Sequence, residues 1–125
     1  MAYHKVRQPK VYIPNKSFHN FTDAKRFGDL VFCTEGTINR EDVQNITHLV
    51  VTAMEDAEAS DYIMISSLSV INSIMCAYFG GRFGRINFLM FNDDTQSYVS
   101  RKIVLADALN KGLTNDRQSR RQANK

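Results

Sequence analysis

Histidine and cysteine are scarce in this sequence, three and two residues respectively, and they fall in no CxxC, HxxxH or HExxH spacing. A metal site needs several such side chains converging at short spacing, so the common zinc arrangements are excluded and no cofactor is called for. Long apolar runs are missing too. Asn72 and Ser73 interrupt the longest one before it reaches the roughly 18–20 residues that span a bilayer, which argues against a membrane protein. The opening residues MAYHKVRQPK contain no apolar stretch of the kind a secretory leader carries. Cys33 and Cys76, both set in apolar segments, are therefore expected as buried thiols in a reducing compartment, the cytoplasm. No internal repeat, low-complexity run, or RRM, KH or helix-turn-helix signature is present.

Apolar residues make up 43% of the chain and charged residues 23%, enough to bury a core at a length that suits one domain. That domain is expected over residues 10–113, between a flexible basic N-terminus (1–9) and a flexible basic tail (114–125). Charge is unevenly divided. Residues 1–16 carry four basic side chains and no acid, and residues 113–125 carry four against one; with a total of +3, residues 17–112 must carry −4. The pI of 9.0 thus comes from the ends. Any attraction for nucleic acid is expected at Arg117, Arg120 and Arg121, independent of base sequence and sensitive to salt.

Along the chain, Lys10 to Pro14 reads as a first strand that Pro14 ends, placed at a sheet edge, where proline is tolerated. Thr22 or Asp23 is expected to cap a helical turn closed by Gly28, with Phe18, Phe21 and Phe27 plugging the core, and Leu30 to Cys33 forms a second strand. Asn39 before Arg40-Glu41-Asp42 predicts a helix N-terminus. Val43, Ile46, Val50, Ala53, Met54 and Ala57 then recur at helical spacing and leave His48 exposed. Asp61 to Ser66 reads as a third strand, and Ser67 or Ser69 can cap a nearly all-apolar helix 70–79 that Gly80-Gly81 stops. Ile86 to Phe91 and Tyr98 to Leu105 make a hairpin across Asn92–Ser97, followed by a short helix 106–113. This order predicts a small three-layer Rossmann-like α/β domain, its sheet mostly parallel with one antiparallel edge strand. Helix 70–79, apolar nearly all round, is expected to pack on the sheet and on a further element or a second copy, making a homo-oligomer.

Ligands of parallel sheets bind beyond the carboxyl ends of the strands. Those ends bring forward Asn15, then Thr34, Glu35 and Gly36, then Ser66, Ser67 and Ser69, then Asn92, Asp93 and Asp94, as candidate ligand-binding residues. The serines suit a phosphate as well as a helix cap. Glu35 with Asp93 and Asp94 has the chemistry to hold a hard cation, although adjacent aspartates in a hairpin loop are turn formers and no metal is assigned. Gly80-Gly-Arg-Phe-Gly-Arg85 is not read as a phosphate loop, because it follows a helix and opens a strand. No catalytic residue emerges, since His4, His19, His48 and Cys33 each lack an orienting partner.

The segments KVYIPNKSFHNFTDAKRFGDLVFCTEGTINRED and DYIMISSLSVINSIMCAYFGGRFGRINFLMFND resemble the compact single-domain accessory proteins of tailed bacteriophages, over about residues 10–105. The strand, serine-rich turn, helix, strand layout is also similar to small viral ring nucleases that bind cyclic oligoadenylate at a dimer interface. The resemblance implies a viral protein of the host cytoplasm. The leading expectation is a non-enzymatic phage accessory protein that self-associates through helix 70–79 and binds a macromolecule, nucleic acid first. The alternative is a nucleotide-binding protein that sequesters or cleaves a phosphorylated ligand, a cyclic oligonucleotide among the options; as an enzyme it would be a phosphodiesterase or nuclease-type hydrolase.

Overall fold

A single sheet is built from β1 (Lys10–Lys16), β2 (Asp29–Glu35), β3 (Tyr62–Met64), β4 (Arg85–Asn92) and β5 (Ser97–Val104) in the order 2-1-3-4-5. The computed structural model describes residues 7–17, 20–66 and 69–105, without the Ser69 side chain. His4, Phe18, His19, Ser67, the expected helix 106–113 and the arginines of the tail lie outside the described residues. β1 runs parallel to β2 and β3, β3 runs parallel to β4, and only β4 and β5 are antiparallel. The mostly parallel α/β sheet with one antiparallel edge is therefore the fold.

Parallel neighbours need a crossover, and a uniform crossover hand places it on opposite faces when the direction of travel reverses. From β1 the chain moves outward to β2 through the 3-10 turn Thr22–Arg26, then reverses across β1 to β3 through α1 (Val43–Ala53), and continues to β4 through α2 (Ser69–Phe83). The two helices accordingly share one face. There Ile46 and Val50 of α1, Met54 at its C-cap, and Ile71, Met75 and Phe79 of α2 pack on Tyr12, Cys33, Ile63 and Ile86. Ala24, Phe21 and Phe27 cover the other face with Val11, Ile13, Met64, Leu89 and Tyr98. Successive β1 side chains alternate between these cores, which is why the whole run Val11 to Ile13 is buried.

Several local expectations give way to packing. Pro14 does not end β1, nor is β1 an edge strand. The β1–β3 ladder stops at Tyr12↔Ile63, so the missing Pro14 N–H falls beyond it, and the Pro14 carbonyl accepts from Thr34 Oγ1 at 2.7 Å. The turn at Thr22 is capped from Asn20, whose Oδ1 accepts the Thr22 N–H at 2.9 Å, rather than by Thr22 or Asp23. Asn39 serves a preceding turn through the Glu41 N–H, and Asp42 caps α1 by accepting from the Asn45 N–H. α1 therefore starts at Val43, later than Asn39 suggests. The glycine pair Gly80-Gly81 does not stop α2. A Cβ on Gly80 would stand 3.1 Å from Leu105 Cδ1, so glycine there lets the helix lie close to the strand ends, and Gly84, at φ +68, makes the stop.

The second packing partner expected for α2 lies within the chain. Val70, Ile74, Cys76 and Tyr78 pack against the core shared with α1, leaving Ser73, Ala77, Gly81 and Arg82 exposed. Asn72, buried within this apolar helix, ties it to β3: its Nδ2 donates to the Met64 carbonyl at 2.9 Å and its Oδ1 accepts the Ser66 N–H at 2.8 Å. Tyr12 is also fully buried, and its hydroxyl meets no partner among the described residues. Removing an unpaired buried hydroxyl relieves a desolvation cost. Tyr12→Phe is accordingly expected to leave stability unchanged or raise it by about 1 kcal/mol, as read from urea unfolding; a loss above that size would show that the hydroxyl is satisfied.

Candidate functional site

The strand order reverses at β1, and where the connections leaving neighbouring strands part to opposite faces, a crevice opens beyond their carboxyl ends. A cavity of about 240 Å³ occupies that place. Its wall comes from Asn15 at the end of β1, from Gly36, Thr37, Ile38 and Arg40 in the β2–α1 connection, from Ile46 of α1, and from Val70 and Ile71 in the first turn of α2.

Local chemistry explains how each piece is held. Asn15 closes the end of β1 onto the loop, donating from Nδ2 to the Gly36 carbonyl at 3.1 Å while its Oδ1 accepts from Thr34 Oγ1 at 3.1 Å. Gly36 has φ +73, a left-handed conformation that costs a side chain about 1–2 kcal/mol, and this lets the chain turn back toward α1. Ile38, Ile46, Val70 and Ile71 give the cavity an apolar floor. Arg40 is exposed at the rim, and no described acceptor meets its guanidinium, while α2 presents the amide end of a 15-residue helix to the same space. The combination accommodates a body with an apolar face and a negatively charged end.

Of the residues read from sequence, Asn15 and Gly36 line this cavity, and Thr34 lies buried beneath it as an internal tie. Glu35 is exposed at the end of β2 with Lys16 opposite it in register. Ser66 follows β3 and is held by Asn72, Ser67 is outside the described residues, and of Ser69 only the backbone is described, at the start of α2. Asn92 ends β4 and Asp93 opens the turn to β5, where Asn92 Oδ1 accepts the Asp94 N–H at 2.9 Å, and neither lines the crevice. Thr37, Ile38, Arg40, Ile46, Val70 and Ile71 were not legible as site residues. In sequence the isoleucines and Val70 are indistinguishable from core, and Arg40 reads as part of a helix start.

Reactive groups are sparse around the crevice. Burial pushes the Cys33 thiol up to about 12 and raises that of Cys76 as well, so both remain protonated near neutral pH, and neither lines the cavity. Among the described residues, no group of three or more His, Cys, Asp or Glu side chains converges to hold a metal ion. No described helix is long and apolar enough to cross a membrane.

Fold and site together define a small α/β domain with a ligand-sized crevice where its parallel strands reverse order. Residues 9–105 match the family model described as Phage Pam3 gp32-like protein, well over half of the chain, and the chain belongs to that family. The resemblance to phage proteins read over residues 10–105 thus extends over nearly the same span. No curated protein and no solved structure matches the chain.

Proposed function

We propose that this phage-family protein binds a small anion of the nucleotide type, with one apolar face, in the crevice between β1 and β3, and holds it without chemical change. The observation that carries the reading is a cavity at the point of strand reversal with an apolar floor and, at its rim, Arg40, whose guanidinium meets no acceptor among the described residues. Its volume of about 240 Å³ lies below the roughly 300–1,000 Å³ of drug-sized pockets, so it suits one base or sugar-phosphate unit, with the remainder in solvent. A cyclic oligonucleotide would overfill one crevice and require those of two copies. Binding without cleavage is favoured because the described lining offers an amide, a hydroxyl and a guanidinium but no group suited to take a proton. Nucleic-acid binding through Arg117, Arg120 and Arg121 rests on residues outside those described, and self-association through α2 would use its exposed residues Ser73, Ala77, Gly81 and Arg82.

A thermal-shift series with mono-, di- and cyclic nucleotides tests the proposal. A ligand present at about 100 times its Kd stabilises by about 2.7 kcal/mol, which in a domain of this size raises Tm on the order of 10 °C. Arg40→Glu, an exposed change, is expected to abolish the shift with an unaltered Tm for the free protein, and Val70→Phe should do so by filling the floor. Flat curves with every nucleotide, or an undiminished shift in Arg40→Glu, would dismiss the reading.

A further inference from the structure

On the opposite face from the helices, an open groove of about 640 Å³ runs between the 3-10 turn and the outer strand β2, and nothing above assigns it a role. β2 is an edge strand, and its Phe32 faces this groove rather than the helix core. The Phe32 ring is half-buried, with the Phe21 ring 5.7 Å away on one side and the Lys16 ammonium 5.8 Å from its centroid. Lys25, from the 3-10 turn, lines the same groove, and among the described residues neither lysine is held in an ion pair.

The two cations of the turn have separate tasks. Arg26 is consumed internally: it pairs with Asp23 at 3.1 Å, donates to the Tyr98 carbonyl and lies 4.2 Å from the Phe27 ring centre, fastening the turn to β5. Lys25, its neighbour, is exposed toward the groove and makes no ion pair among the described residues. Asp29 is the one carboxylate in the lining, and Lys10 stands opposite it in the β1–β2 register. The groove therefore combines a half-buried aromatic ring, over which the Lys16 ammonium lies, with a second ammonium, Lys25, and one carboxylate, Asp29, and among the described residues none of these three charges is held in an ion pair.

We infer that this groove binds single-stranded nucleic acid, one base stacking on Phe32 and the adjoining phosphates meeting Lys16 and Lys25. Aromatic rings joined by phosphates match that spacing of chemistry, since every base has a face to stack and every linkage a charge to neutralise. An acidic peptide would satisfy the lysines and leave the ring unused. The groove is open rather than enclosed, which suits a polymer passing through better than a small ligand. The groove shares no lining residue with the crevice, which lies on the other face of the sheet.

Fluorescence anisotropy with a labelled oligothymidine of about 12 nucleotides, at two salt concentrations and with the full chain, is the test. The double variant Lys16→Glu/Lys25→Glu is expected to weaken binding about tenfold or more and to flatten its salt dependence. Phe32→Leu, which keeps an apolar side chain against Phe21, is expected to lose about tenfold while the salt slope stays as in the parent protein. Melting temperatures of both variants show whether each is folded. Four results would overturn the inference: no binding by the parent chain, equal binding by the charge-reversed variant, loss of binding on removing residues 114–125 with the groove intact, or competition by poly-glutamate as effective as by unlabelled oligothymidine.

Discussion

Asp61→Asn is expected to destabilise the protein by about 3 kcal/mol although the two side chains have nearly the same size. Asp61 is fully buried and accepts four hydrogen bonds: from Arg7 at 2.7 and 2.8 Å, from the Lys10 N–H at 3.0 Å and from the Glu58 N–H at 2.9 Å. These donors belong to the segment entering β1 and to the loop between α1 and β3, so one carboxylate joins two stretches of chain distant in sequence. An amide of the same shape would direct an N–H₂ group at donors and leave the Arg7 guanidinium with the more exposed Glu58 carboxylate, 3.3 Å from its Nε, in place of its buried counter-charge. Breaking a buried pair in this way costs about 3–5 kcal/mol, and because the Arg7 side chain keeps 30% of its exposure the lower end applies.

The same site sets an acid limit. Burial pulls the Asp61 carboxyl upward, but Arg7 and the two backbone amides outweigh it and hold the group below its ordinary value. A carboxylate whose folded pKa is depressed contributes stability above its unfolded value, near 3.9, and loses that contribution as the pH falls toward the lower folded value. Urea midpoints should therefore show little Asp61-dependent change between pH 7 and 5, and a decline below about pH 4 that is steeper in the parent chain than in Asp61→Asn, where Asp23, also held low, still contributes. A cost under about 1 kcal/mol at pH 7, or parallel acid profiles in the two proteins, would show that the network contributes little.

Why the sequence yields some of this and not the rest follows from the range over which each signal acts. The β3–α2–β4 unit is legible because its apolar runs and the serine-rich turn are local, and the β4–β5 hairpin because Asn92-Asp-Asp-Thr95 is a turn by its own chemistry. Strand order is not local. Pro14 argues for an edge, and only the register, with β3 reaching no further than Tyr12↔Ile63, reveals that an interior strand tolerates it. Asn72 looks like a soft spot in α2 but is the polar tie between helix and strand, visible only once Met64 and Ser66 are in place. Arg7 likewise reads as one more base in a basic terminus, although its partner is 54 positions away. For the site, knowing that strand ends converge was enough to select Asn15 and Gly36. Which strand ends matter depends on where the order reverses, and that is set by the β1–β3 pairing rather than by any motif.

Gly28→Ala is the backbone counterpart of the Asp61 exchange, expected to cost about 3 kcal/mol although it adds one carbon. A Cβ on Gly28 would stand 2.1 Å from the Pro9 carbonyl oxygen and 2.7 Å from its carbon, both main-chain atoms that no rotamer change can move aside. The closeness has a cause. Asp29 N–H donates to that same oxygen at 2.9 Å, beside the first β1–β2 register pair, Lys10↔Asp29. Forcing the strands apart would combine overpacking, about 1–3 kcal/mol, with loss of this hydrogen bond, about 1 kcal/mol. The glycine that looks like the closing residue of a helical turn is thus needed for strand contact. Gly81 supplies the control, because it is exposed in α2 and a Cβ there would meet nothing within 4 Å. Gly81→Ala should raise stability by about 0.5–1 kcal/mol through helix propensity alone, giving opposite signs for one chemical change. Equal effects of the two substitutions on the urea midpoint would mean that the approach of Gly28 to Pro9 does not govern how β2 docks on β1.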